Sequence, residues 1–339
     1  MTFETNRRHA LQALVALAVA GCAGKPSRSP ADITIAGLFA GNINDHGFMQ
    51  SGYEGLVQAE KALGVGTRYI DGIAPQKELL AAALRQLARA QPPPHMVIAH
   101  GGQNNAAAQQ VAAEFPDIRF VVTQGDVTGA NLSSYDVLQE ESAWLAGALA
   151  GLTTRSGVVG HMSGIRVRPG LKGRAAFADG LKTVNSNARL LTNFSGNQDD
   201  NALSRRIALA QIDAGADIIF TMLNAGRGGV TEACRSRGIR QIGNVNDWTL
   251  TDPSVFTASA IADVSKAVFM AAQDQVSGQW KPGVIRKLGL ADASAVRLAM
   301  ASDVPASVKQ QIASFSDAII SGKIKVPDSY TGPEFTMPV

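Results

Sequence analysis

The chain has 339 residues, 45% of them hydrophobic and 17% charged, with a formal net charge of +3 at pH 7. That length fills two domains at ~100–200 residues each, and so balanced a charge gives no footprint for nucleic acid or an anionic surface. Two cysteines and five histidines without paired ligand spacing exclude a cysteine-built metal site, and no metal or other cofactor is expected.

In chain order, Arg7 and Arg8 come first, followed by an apolar run over residues 10–20 in which only Gln12 is polar. The run closes in Val19-Ala20-Gly21-Cys22. A charged front, a short apolar core and small residues before the cut site describe an export signal. About 11 residues are too few for a membrane helix, which needs ~20. The four closing residues look like a lipobox, whose cysteine is lipidated and becomes the new N-terminus; an ordinary signal with an incidental cysteine is the alternative. Asn6-Arg7-Arg8-His9-Ala10-Leu11 also resembles a twin-arginine signal, so the export route stays open. We therefore expect a signal at residues 1–21, lipidation at Cys22 and a Ser/Pro-rich tether at 22–31. The mature chain would sit outside the cytoplasm, lipid-anchored at the periplasmic face of a bacterial cell envelope. Cys234, left alone, reads as a buried inert thiol on a helix.

Beyond the tether, short β-rich runs alternate with helical ones. Strands are predicted at 33–39, 68–70, 96–99 and 119–123, with helices at 51–63, 75–90 and 104–114 between them. The pattern restarts with a helix at 141–152. Strands at 157–160, 189–194, 217–222 and 239–243 follow, separated by helices at 172–182, 199–214 and 226–237. One more strand from 256, a helix, and a tail with a helix near 302–321 complete the chain. Such βα units stack into parallel sheets covered by helices, and apolar runs such as Ile218-Ile219-Phe220 suit strands buried on both faces. The expected architecture is α/β with two Rossmann-like lobes. The first takes residues 32–135 plus about 250–290, the second 136–249 plus about 291–339. A ligand cleft should lie between them at the carboxyl ends of the strands.

Four segments carry a family resemblance: Asn44-Asp45-His46-Gly47-Phe48-Met49-Gln50, Trp144-Leu145-Ala146-Gly147, Ala214-Gly215-Ala216-Asp217-Ile218-Ile219-Phe220 and Asn224-Ala225-Gly226-Arg227-Gly228-Gly229. Their order and spacing resemble the basic-membrane-protein (Bmp, Med-like) family of substrate-binding lipoproteins, which includes purine nucleoside receptors of ABC importers. The resemblance implies a type I periplasmic-binding-protein fold with a purine-type ligand clamped between the lobes and passed to an ABC permease. In the family's first loop, Asp45, Phe48 and Gln50 match while Met49 replaces an asparagine. In the loop after the fifth strand of the second lobe, Asp247 matches the second acid and Val245 stands where the first would be. A family lysine falls on Ala262, with Lys266 close by. Those lost polar groups are ones the family uses near a sugar, which tilts the expectation toward a free nucleobase.

The strand-end loops 41–50, 100–105, 124–128, 163–169, 195–199, 224–226 and 244–248 are rich in Asn, Gln, Asp and Gly, with aromatic faces at Phe48 and Trp248. A heterocycle needs a stacking face and donors and acceptors along its edge. The candidate ligand residues are Asn44, Asp45, Phe48, Met49, His100, Gln103, Gln124, Asn224, Asp247 and Trp248. Arg166 and Arg168 read as rim charges. The sequence thus points to a monomeric binding protein and not an enzyme, since no Gly-x-Ser-x-Gly elbow or Ser/His/Asp constellation is present. An α/β enzyme acting on nucleosides is the alternative, and a ligand-responsive regulator would need a helix-turn-helix where the export signal stands.

Overall fold

A computed structural model describes residues 29–337; the signal, Cys22 and most of the expected tether lie outside the described residues. The chain builds two six-stranded sheets. The first contains β1 (Thr34–Phe39), β2 (Gly66–Ile70), β3 (Met96–His100), β4 (Arg119–Thr123), β5 (Leu132–Val137) and β11 (Ile285–Leu288) in the order β11-β5-β4-β3-β1-β2, all parallel. The second contains β6 (Val158–Ser163), β7 (Arg189–Phe194), β8 (Ile218–Met222), β9 (Arg240–Val245), β10 (Phe256–Ala262) and β12 (Val296–Met300) in the order β12-β10-β9-β8-β6-β7. There only β12 runs antiparallel. Both sheets repeat one winding, with a switch point where the order reverses beside β1 and β6.

Helices α1 (Phe48–Leu63), α2 (Lys77–Ala88), α3 (Asn105–Glu114) and α9 (Ser265–Ser277) cover the first sheet. Helices α4 (Gln139–Thr153), α5 (Arg168–Val184), α6 (Asn201–Asp213), α7 (Arg227–Arg237) and α10 (Ala306–Ile320) belong to the second lobe, with α8 (Trp248–Thr251) a single turn after β9. Asp200 caps α6 by accepting from the Leu203 N–H at 2.9 Å, as a carboxylate at that position should. No helix among the described residues is long and apolar enough to cross a membrane.

The lobe boundaries differ from expectation in one respect. β10 was assigned to the first lobe by the boundary near residue 250, but it pairs with β9 and β12 in the second sheet. The chain returns to the first lobe only after Ala262, to lay down α9 and β11, and leaves it again after Leu288. β5 carried no apolar signature because its Ser133, Ser134 and Asp136 are buried polar residues. Ser134 bonds both backbone groups of Val127 in the loop before the strand, and the other two are satisfied by distant partners. Ser133 Oγ accepts from Trp280 Nε1 at 2.8 Å, and Asp136 is paired by Arg168 and Lys172. Tyr135, between them, donates to Asp274 at 2.6 Å.

The Trp144–Gly147 segment has a packing cause. α4 and α5 touch backbone to backbone: a Cβ on Gly147 would overlap the Phe177 carbonyl, and one on Gly180 the Trp144 carbonyl. Trp144 is fully buried, and its indole N–H donates to Asp179 at 2.7 Å. Gly180→Ala would gain ~1 kcal/mol on helix propensity alone, yet it forces the two helices apart. We expect a net destabilisation of about 1–3 kcal/mol, read as a lowered midpoint in denaturant unfolding.

Candidate functional site

Between the lobes lies a narrow cavity. Every wall comes from the carboxyl end of a strand or the helix start that follows it. From the first lobe, Phe48 and Met49 open α1 and Gln103 sits in the turn after β3. From the second, Ser163, Gly164, Ile165 and Val167 form the end of β6 and its loop, and Pro169 and Gly170 start α5. Gln198, Met222, Asn224 and Asn244 complete that side, with Gln139 at the first residue of α4. An adjoining groove, lined by Asn42, Ile73, Asn197 and Asp199 among others, leads outward.

Of the ten expected residues, Phe48, Met49, Gln103 and Asn224 line the cavity. Asn44 is exposed beside it, its N–H held by Asn42 Oδ1. The other five are turned to structural tasks. Asp45 is buried and accepts from the backbone N–H groups of Gly47, Met49 and Gln50 at 2.8, 3.0 and 3.1 Å. It thereby caps α1, which starts three residues earlier than the pattern implied. Burial pushes its carboxyl upward despite those amides. Gln124 is buried and clamps both backbone groups of Val137. Asp247 caps α8 by accepting from Thr249.

Trp248 packs behind the wall. Its ring lies under the Arg227 guanidinium at 3.4 Å, and its Nε1 donates to the Asn244 carbonyl at 3.0 Å. Burial lowers Arg227 to about 10. His100 sits under Phe48, with ring centroids 4.4 Å apart, and bonds Thr123 Oγ1 and the Phe48 carbonyl. It thus presents the Phe48 ring to the cavity without reaching the cavity itself. Ser163, Gln198 and Asn244 fall in loops the sequence had singled out, although the residues were not chosen. Gln139 and Met222 gave no signal, because one follows the unexpected β5 and the other reads as core strand.

The amide groups set the chemistry. Gln103, Gln139, Gln198, Asn224 and Asn244 surround the space with donors and acceptors, and Asn244 Oδ1 is buried without a hydrogen-bond partner. Such an orphaned acceptor favours a ligand that donates to it. Ser163 Oγ lies 3.2 Å from His161 Nε2, and His161 Nδ1 lies 2.8 Å from Thr192 Oγ1. Burial, aided by the charge of Arg174, holds His161 down at about 3. The buried ring links Ser163 to Thr192 and so orients the Ser163 hydroxyl. Arg168 and Lys172 do not reach the cavity. Arg168 bridges Asp126 at 2.9 Å and Asp136 at 3.0 Å, while Lys172 pairs with Asp136 and Glu140. Cys234 is buried, its thiol pushed up to about 12. Among the described residues no cluster suited to a metal occurs.

Two parallel α/β lobes joined by three crossings, with an amide-lined cavity between their strand ends, define a bilobed solute-binding protein. The chain belongs to the Bmp family of PnrA-like ABC transporter substrate-binding proteins, whose model matches residues 33–330. It is 23% identical over 315 residues to a purine-binding protein of Brucella abortus, covering 91% of this chain and 86% of that one. It is 24% identical over 348 residues to an ABC transporter nucleoside-binding protein of Lactococcus lactis, covering 93% and 96%. Its fold is that of a solute-binding protein of an ABC transporter system from Aeropyrum pernix K1, with a TM-score of 0.76 at 19% identity over 87% of this chain and 94% of that one. All three carry the names of binding proteins.

Both buried histidines make stability depend on pH. Burial lowers His100 to about 4 and His161 to about 3, against ~6.5 in an unfolded chain. The unfolded state therefore binds protons that the folded state refuses, and stability falls as pH drops below about 6.5. Between pH 7 and 5 each histidine should remove about 2 kcal/mol. Denaturant titrations at the two pH values check this, and His100→Gln should flatten the dependence.

Proposed function

We propose that the protein is a lipid-anchored, extracytoplasmic binding protein that delivers a purine-type heterocycle to an ABC permease, acting as a monomer without bond chemistry. The observation that carries the reading is the cavity itself: one aromatic face, Phe48, backed by His100 at a 30° tilt, with a ring of side-chain amides around it. A flat ring stacks on the first and exchanges edge hydrogen bonds with the second. The names of the Brucella and Lactococcus relatives agree with that ligand class. Ligand bound to one lobe draws the other over it, and three crossings permit the hinge motion.

Within that class we favour a free base over a nucleoside. Val245 and Ala262, where the family resemblance places sugar-directed polar groups, are apolar and buried, and neither lines the cavity. Val245 also sits at φ 66°, a strained conformation for a β-branched residue, turning the chain away directly after Asn244. Unpaired ribose hydroxyls cost ~1–3 kcal/mol each when buried. Calorimetric titration should therefore show adenine or hypoxanthine binding at least about tenfold more tightly than its nucleoside. Tighter nucleoside binding would reverse this preference.

Two substitutions probe the wider reading. Phe48→Ala should weaken base binding by about 1–3 kcal/mol, the usual worth of a base–aromatic stack, in the same calorimetric experiment. Cys22→Ser removes the acyl acceptor that would hold the protein to the membrane. Fractionated cells should then carry the variant in the soluble pool or as uncleaved precursor; normal membrane retention would refute the anchor.

A further inference from the structure

The cavity loop Gly164–Val167 sends Ile165 and Val167 inward, and the side chain between them, Arg166, runs the other way. There it meets the end of the chain. The Glu334 carboxylate accepts from both Arg166 and Arg174. The two guanidinium groups lie 4.7 and 4.8 Å from the Phe194 ring centroid, and Arg174 is covered again by Tyr330 at 4.8 Å. Arg174 is buried, so its charge is removed from water and depends on that carboxylate. Within the segment Tyr330 donates to the Pro333 carbonyl at 2.9 Å, and the Phe335 N–H donates to the Thr192 carbonyl at 2.7 Å, which ties the segment to the second lobe. That last bond closes onto β7, the outermost strand of the second sheet.

We infer that residues 330–335 form a strap that positions the cavity loop, with Glu334 as the positioning residue acting through Arg166 and Phe194. Three observations converge on it. The loop's own backbone bonds are few, namely Val167 to Ile165 at 3.0 Å, Leu171 to Val167 at 3.0 Å and Gly196 to Gly164 at 3.1 Å. The Phe194 ring packs toward Gly170, where a Cβ would lie 3.3 Å from it, and Gly170 also lines the cavity. Thr192, which holds Phe335, is the residue that fixes His161 and hence the Ser163 hydroxyl. The Glu334 carboxylate therefore supports one side of the cavity without lining it.

The inference rests on the proposed function only in its binding arm. In ligand-free protein, Glu334→Gln should speed amide exchange at residues 164–167 while leaving exchange in the first lobe unchanged. In the binding arm, with hypoxanthine as probe, the same variant should bind about tenfold more weakly, mainly through faster dissociation, with a lowered melting temperature because Arg174 stays buried without its carboxylate. Glu334→Asp should restore part of the affinity. If the unaltered protein binds no purine, the functional reading fails while the exchange arm still decides the strap. If exchange at 164–167 is unaffected by Glu334→Gln, or by a chain ended at residue 328, the strap is overturned.

Discussion

The two lobes are held by polar groups buried where the chain crosses between them. The first crossing follows Val137, the second Ala262 and the third Leu288, and they are tied to one another. Leu138 donates to the Leu288 carbonyl at 2.7 Å, Asp263 donates to the Ala295 carbonyl at 2.8 Å, and Glu141 accepts from the Leu290 N–H at 2.7 Å. Gln124 clamps Val137 from the side. Beside this ribbon, Asp136 and Glu140 are buried against Lys172, with Arg168 reaching across to Asp126. Losing one partner would leave a charge buried and unpaired, which costs ~3–5 kcal/mol. The constraint is strict enough that β5 accepts serines and an aspartate in a buried strand in order to meet it.

That constraint also shapes the cavity. With the charged groups of the crossings paired among themselves, the walls are left to amides, a serine, aliphatic side chains, methionines and one aromatic ring. The polar residues at the strand ends divide into two sets. Asp45, Gln124 and Asp247 bond backbone groups, whereas Gln103, Gln198, Asn224 and Asn244 line the cavity. Backbone amides at a helix start are obligatory partners, so a carboxylate one to three residues before a helix is drawn to them first. The two lobes also meet at the rim, where the His46 carbonyl accepts from Arg227 at 3.5 Å and Asn246 at 3.4 Å.

How much of this the residues reveal in advance follows from the range of each interaction. The βα alternation, the two sheets and the switch points rest on local periodicity and on the right-handed crossover rule, and they were legible. The glycines of the Trp144–Gly147 and Asn224–Gly229 segments were visible as a pattern, but their cause was not. Gly147 admits Phe177, and Gly229 admits the backbone of Asn201, contacts between helices that sequence neighbours do not report. Strands β11 and β12 escaped notice for the same reason: each is short, half-exposed in places, and completed by a partner far along the chain.

The sequence by itself determined a bilobed α/β protein, the loops that border the cleft and Phe48 as its aromatic face, because strand and helix periods and strand-end position are local properties. Tertiary structure decided which side chains look into the cleft. Trp248 went under Arg227 and His100 under Phe48, while Gln139 and Met222 came to the wall from segments that read as helix start and core. The physical reason is competition: a buried polar or aromatic group goes to whichever partner is nearest in space, and that partner is set by how the two sheets and their crossings pack.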